Sequence, residues 1–245
     1  MESSFALKDL IKDVVSEFAR IKNEDFIITN SVPVLWFGNY KRYLKSERKI
    51  VTVALNPSLA EFIPTSYSVA SPGYRFPSYR GTVSSLINSY NEYFRQNPYK
   101  KWFNPSFERI LNSFNASFYN GVNTALHTDI GSPFATDPTW SKLSELNRSK
   151  LESFGVRTWH KLIQILAPEI VLYSASSGFE NKIKFPELNS WEQLDLNGRK
   201  PLLRSSFSLG SDKVTHVLFQ VQGRKPFGQM SNEERDKISK YLPKQ

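Results

Sequence analysis

The chain has no cysteine, two methionines, three histidines and no apolar run close to a membrane span of roughly 18 residues. Without cysteine there is no disulfide, no thiolate zinc site and no cysteine-ligated iron–sulfur cluster. The histidines at 127, 160 and 216 do not join nearby acids in any metal-ligand spacing, so neither a metal nor a cofactor is expected. No Ser-His-Asp order and no glycine-rich phosphate loop stands out. The opening "MESSFALKDL" lacks the basic and apolar regions of a signal peptide. These absences predict a cytoplasmic protein, off the membrane; a monomer is the expected state.

What is present is apolar and basic. Across 245 residues, 40% are apolar and 14% aromatic, enough to fill one core, so a single domain over 1–245 is expected. Lys and Arg number 32 against 23 Asp and Glu, a net charge of +9. That surplus favours polyanionic partners, because basic side chains displace counterions from phosphate.

Periodicity supplies the elements. Leu7, Leu10, Ile11, Val14, Val15, Phe18 and Ile21 share one face of a helix over 4–22, within an N-terminal helical segment 1–30, with Ser3 or Ser4 as its cap. "PVLWFGN" (33–39) reads as a short strand, and "KIVTVALN" (49–56) as a strand covered on both faces. Helices are expected near 82–95, 106–118 and 148–166. "GVNTALHTDIGSPFAT" (121–136) begins as a strand and becomes a polar loop. "EIVLYSAS" (169–176) and "KVTHVLFQVQ" (213–222) are two more strands, with an irregular or hairpin insert at 184–212 between them. Ser231 and Glu234 form a capping box for a last helix. Strands alternating with helices predict an α/β fold: three layers, α/β/α, around a mainly parallel sheet of four to five strands. Function in such sheets sits beyond the carboxyl ends of the strands. Three of those ends carry polar loops: "NPSLAEF", "HTDIGSPF" and "QGRKPFGQ". Residues 57–81 are longer than an ordinary connection, and such loops are often functional.

In order, "ALNPS", "ALHTDIGSPFAT", "LIQILAPEIVLYSASSG" and "VLFQVQGRKPFGQ" resemble the motifs of the uracil-DNA glycosylase superfamily over roughly residues 33–242. There the first strand ends in Asn-Pro between glycines, the second in a base-reading Asn, and the last enters a loop that wedges into DNA, commonly His-Pro-Ser. Here the flanking glycines are Ala54 and Ser58, the base-reading position is Asp129, and the wedge loop is Gly223-Arg224-Lys225-Pro226.

The resemblance implies that Asn56 holds a water below the sugar through its side-chain carbonyl, with Pro57 fixing the loop. Without the other motifs, Asn56 reads first as a turn residue. An Asn at position 129 could donate to uracil O4, whereas an ionised Asp only accepts and so suits the N4 amino group of cytosine. A neutral Asp129 could donate, which keeps uracil open. Ordinary cytosine is excluded as a target, since its removal would destroy the cell's own genome. A cytosine modified at C5 escapes that objection, and the resemblance extends to anti-phage members that remove glucosylated hydroxymethylcytosine from viral DNA. His127, two residues before Asp129, would share its side of the strand and orient it or donate to the base. The base pocket would be lined by Pro57, Ser58, Phe62, Tyr74 and Phe76, with Tyr67 and Tyr79 on the same long loop; the plainer role of these aromatics is to close the core beneath it. Arg224, Lys225 and Arg80 would contact DNA, and Phe227 would wedge into the gap left by flipping. His216 reads as a core residue, and His160 has no assigned role. The expected activity is a monofunctional DNA glycosylase that leaves an abasic site. The alternatives are a repair glycosylase for uracil or another deaminated base, and a DNA-binding protein without catalysis.

Overall fold

The apolar run at 50–54 forms a strand buried at every residue, as does the run at 170–175. A computed structural model describes residues 2–63, 71–196, 200–210 and 213–242. Its elements in chain order are α1 (Glu2–Ile21), α2 (Tyr40–Lys45), β1 (Ile50–Ala54), α3 (Val83–Glu92), α4 (Lys100–Trp102), α5 (Glu108–Asn112), β2 (Ala116–Ser117), β3 (Asn123–Thr124), β4 (Leu126–Asp129), α6 (Glu145–Leu166), β5 (Ile170–Ala175), β6 (Glu187–Leu194), β7 (Leu202–Ser208), β8 (Val214–Val221) and α7 (Asn232–Asp236).

The protein is mixed α/β, with a six-stranded sheet in the order β4-β1-β5-β8-β7-β6. β1, β5 and β8 run parallel, β7 runs against β8, and β6 against β7. Among these five strands, only β7 therefore points the other way. The sheet has one strand more than the upper expected number. The region 184–212 accounts for the difference: its described residues form the hairpin β6–β7, which extends the sheet instead of standing apart from it. β2 and β3 make a separate parallel pair.

The chain divides into two compact units: residues 1–39, 55–99 and 128–165 form one, and 40–54, 100–127 and 166–245 the other. In the first, α1 buries Leu7, Leu10, Ile11, Val14 and Ile21 of the face its spacing foretold, while Val15 and Phe18 are half-buried. It begins at Glu2, ahead of the expected caps. Phe37, Phe62, Phe76, Tyr90 and Tyr93 make an aromatic cluster in the same unit. α3 is closed by a capping box between Thr82 and Ser85.

The segment 33–39 is not a strand. Pro33 has no N–H to give, Val34 donates instead to the carbonyl of Pro133, and the Trp36 indole turns to the Gly38 carbonyl. Its apolar residues are buried all the same, which is what the pattern had registered.

In the second unit, α5 is shorter than the predicted helix over 106–118, which breaks after Asn112; Asn115 has a left-handed φ of 54°. Arg109 of α5 makes a bidentate pair with Asp236 of α7, at 2.5 and 2.6 Å. α7 carries the predicted capping box of Ser231 and Glu234. Among the described residues, no helix is long and apolar enough to cross a membrane.

Candidate functional site

β1 ends at Ala54, and the next two residues are anchored by the loop that follows β4. The Leu55 carbonyl accepts two backbone N–H groups, from Gly131 at 2.8 Å and Ser132 at 3.0 Å. The Asn56 amide nitrogen donates to the Phe134 carbonyl at 3.3 Å and to Thr136 Oγ1 at 3.0 Å. A backbone carbonyl can only accept, so the NH₂ side of the amide must face it. That fixes the orientation of the amide, whose carbonyl oxygen is the end opposite these two bonds on a half-buried side chain. Pro57 is buried, and Ser58 bridges to Thr136. Asn56, Pro57, Ser58 and Asp129 thus belong to one unit, and Asn56 and Ser58 are tied to one loop, 131–136.

That loop is held from behind by α6. Gly155 approaches so closely that a Cβ there would lie 2.0 Å from the Gly131 carbonyl oxygen. A Cβ on Gly131 would in turn meet the Leu55 carbonyl at 2.7 Å. Neither contact leaves room for a side chain, so both glycines are required by close backbone packing. The Trp159 indole, also on α6, donates to Thr128 at 3.1 Å and fixes the end of β4.

Asp129 is 8% exposed. A second carboxylate lies within reach of its charge: Glu61, on the short 3₁₀ turn Leu59–Glu61, is 3% exposed. The Tyr93 hydroxyl donates to Glu61 Oε2 at 2.6 Å. Arg75 Nε lies 3.5 Å from the same oxygen, but donates at 2.9 Å to the Ala60 carbonyl, and its Nη1 donates to the Asn97 carbonyl at 2.8 Å. Burial pushes Glu61 up to about 7; the Tyr93 hydrogen bond and the Arg75 charge oppose this, and the Asp129 charge adds to it. Burial also raises Tyr93, reinforced by the Glu61 charge. Sequence reading missed Glu61, Tyr93, Arg75 and Thr136. The available signal was a lone acid inside the apolar stretch "LAEFI", five residues after Asn56.

Several expected site residues have other employment. His127 is 2% exposed, with Nδ1 at 2.7 Å from Thr52 Oγ1 and its ring 5.0 Å from Phe103 and 5.2 Å from Phe107. It is a core residue of the second unit, which corrects the expectation that it serves the base. Phe62 and Phe76 are fully buried and stacked on each other at 5.6 Å, so they close the core and do not offer their faces to a ligand. Tyr74 is half-buried, its ring 4.6 Å from the Arg75 guanidinium. Tyr67 lies outside the described residues.

Phe227 is 0% exposed and cannot serve as an exposed wedge. Its backbone has a left-handed φ of 51°, its N–H donates to Ser174 Oγ, and its carbonyl accepts from Arg235. The loop instead exposes Arg224 and Lys225. Arg80 is exposed, but its guanidinium folds onto the carbonyls of Pro77 and Tyr79 at 2.6 and 2.7 Å. His216, expected in the core, is half-buried on β8, and burial lowers its pKa. His160 bonds the Val156 carbonyl within α6.

A polar cleft of about 360 Å³ in the second unit is lined by Glu47, Asn112, Asn120 and neighbours, and none of the expected site residues contributes to it. Among the described residues, no group of three or more His, Cys, Asp or Glu could hold a metal ion. In comparisons with known protein families, curated proteins and solved structures, the chain finds no match.

Proposed function

We propose that this chain is a monofunctional DNA glycosylase acting on a flipped, C5-modified cytosine, such as glucosylated hydroxymethylcytosine in phage DNA. The observation that carries the reading is the fixed amide of Asn56. Its nitrogen is committed to Phe134 and Thr136, so its carbonyl oxygen is preorganised to hold a water. A water polarised in this way suits an oxocarbenium-like transition state, which needs little basicity in its nucleophile. Water as the nucleophile gives an abasic site without a covalent enzyme intermediate. Asp129, nearly buried after the neighbouring strand end, supplies the acceptor that a cytosine N4 amino group requires. Arg224 and Lys225 are available for phosphates. The proposal includes a three-layer scaffold like that of uracil-DNA glycosylases, a cytoplasmic location and a monomer as the working form.

The second reading is a glycosylase for uracil. Base release separates the two. Purified protein is incubated with duplexes containing uracil, cytosine, hydroxymethylcytosine or its glucosylated form, and alkali-sensitive sites are counted. Release from a modified cytosine is expected, with Asp129→Asn moving preference toward uracil. Release from uracil alone would overturn the cytosine assignment. Tight binding with no release from any duplex would leave a DNA-binding protein without catalysis.

A further inference from the structure

The net charge is not shared evenly along the chain. The unit that carries Asn56 and Asp129 has 12 Lys and Arg against 12 Asp and Glu, whereas the other has 20 against 11, so the whole surplus of +9 falls there. Its densest basic run is "YKRYLKSERK" (40–49), which is α2 and the turn into β1; Lys41, Arg42, Lys45, Arg48 and Lys49 stand there against one acid, Glu47. α2 is pinned from inside. The buried Tyr43 hydroxyl donates to the Leu166 carbonyl at 3.1 Å, and Ser46 Oγ accepts from the Thr124 N–H at 2.8 Å. Helical spacing then turns Lys41 and Lys45, two residues either side of Tyr43, to the opposite face, and both are exposed. That face is unfavourable for the helix alone. Like charges four residues apart repel. A cation in the first turn, where α2 has no acid, also opposes the backbone dipole. The pattern suits a partner that supplies the missing negative charge.

We propose that the outward face of α2 is a second surface for the DNA backbone, with Lys41 and Lys45 on phosphates. It shares with the glycosylase reading only the choice of DNA as partner. A surplus spread over a whole unit matches an extended polyanion such as a duplex better than a short acidic peptide. Ammonium groups act as point charges without a fixed plane, which suits backbone contacts made irrespective of sequence. The surface is separate from the loop that carries Arg224 and Lys225. The Lys49 carbonyl accepts from Glu169 and Ile170 at the start of β5, while the Gln222 N–H donates to the Ala175 carbonyl at its end. β5 has 6 residues and spans about 20 Å at roughly 3.3 Å per residue, so no single phosphate serves both stretches.

The test needs no catalysis. Binding to an unmodified duplex several helical turns long is measured against salt for the wild type, for Lys41→Ala with Lys45→Ala, and for Lys41→Glu. The double variant should flatten the slope of log K against log salt by nearly two contacts, roughly 1.8. Combined with Arg224→Ala and Lys225→Ala, the loss should about double, because the two pairs are too far apart to share a phosphate. Lys41→Glu should flatten the slope as well, yet hold or raise the thermal midpoint. It replaces a repulsion with a Glu–Lys pair and puts an acid in the first turn. A wild-type slope in the double variant overturns the proposal, as does a fourfold variant that loses no more than either pair. A lower midpoint in Lys41→Glu also overturns it, since Lys41 would then serve the helix. So does loss of binding to anionic-lipid vesicles or polyglutamate in these variants with duplex binding intact, which would give the face another partner. If no duplex releases a base while the slopes change as expected, the glycosylase reading fails and the surface stands. If bases are released and the slopes stay as in the wild type, the surface alone fails.

Discussion

A primary amide has a donor end and an acceptor end, and Asn56 has spent its donor end. Removing the group in Asn56→Ala does two separable things. It deletes the carbonyl proposed to hold water, and it takes a donor from the Phe134 carbonyl and a partner from Thr136. The first should cost base release at least about a hundredfold, the scale of losing a preorganised polar group in an active site. The second should cost about 1–3 kcal/mol of stability. Thr136→Val separates them: it loosens one anchor of the amide but keeps the carbonyl, so it should lower stability with a smaller loss of rate. Equal rates for Asn56→Ala and wild type on the natural substrate would remove Asn56 from the mechanism.

Glu61 offers a second prediction at the same scale. Burial lifts its carboxyl from the ordinary 4.5 to about 7 in the folded state. The folded state thus holds the proton more tightly than the unfolded chain does. The contribution to stability is full below pH 4.5 and is lost as pH rises through 7. Urea denaturation should accordingly find wild type losing stability relative to Glu61→Gln between pH 5 and 8, by a few kcal/mol. Parallel pH dependences for the two proteins would mean Glu61 is not held protonated by burial.

At the scale of elements, the candidate site depends on how two strand ends are tied, and the tie is a backbone contact. Gly131 and Ser132 bond the Leu55 carbonyl, and Gly155 of α6 lies against Gly131. Gly155→Ala would gain helix propensity of about 1 kcal/mol, yet its Cβ must displace a carbonyl 2.0 Å away. Overpacking of about 1–3 kcal/mol or more should win, so the denaturation midpoint should fall, not rise. A rise would mean that α6 and the 131–132 loop separate easily. This glycine stood in plain view in a helical pattern, but only coordinates say what it touches. The same limit governs the rest. "KIVTVALN", "EIVLYSAS" and "KVTHVLFQVQ" were legible as strands because burial on both faces leaves unbroken apolar runs. β6 was legible only as part of a hairpin or irregular insert, since Glu187–Leu194 is largely exposed and carries no such run. The positions of Asn56 just past one buried strand and of Asp129 at the end of another were legible, because each is a polar residue where a buried run gives way to a polar loop. Glu61 was not, because its meaning comes from Tyr93, Arg75 and Asp129, which reach it from elsewhere in the chain. His127 misled for the same reason: alternation paired it with Asp129, while Thr52 and the phenylalanines that hold it are remote in sequence.

For the molecule as a whole, the quantity to test is charge. The surplus of +9 gives any polyanion a favourable approach, so DNA binding alone would say little about specificity. The salt dependence says more. Each phosphate contact releases counterions and contributes about −0.9 to the slope of log K against log salt. Arg224 and Lys225 are exposed on the loop after β8, so Arg224→Ala with Lys225→Ala should flatten that slope by nearly two contacts, roughly 1.8. Melting behaviour should change little, because neither side chain is buried. Phe227→Ala, three residues further, should do the reverse. Its ring is fully buried, so the loss should be about 3–5 kcal/mol of stability, with the salt slope of the remaining folded protein unchanged. If Phe227→Ala instead left stability intact and weakened DNA binding, the residue would leave the core to meet DNA, and the wedge expected from sequence would be restored. If the Arg224/Lys225 double variant kept the full slope, the phosphate contacts would have to come from other basic residues of the surplus, and the loop after β8 would have no part in holding DNA.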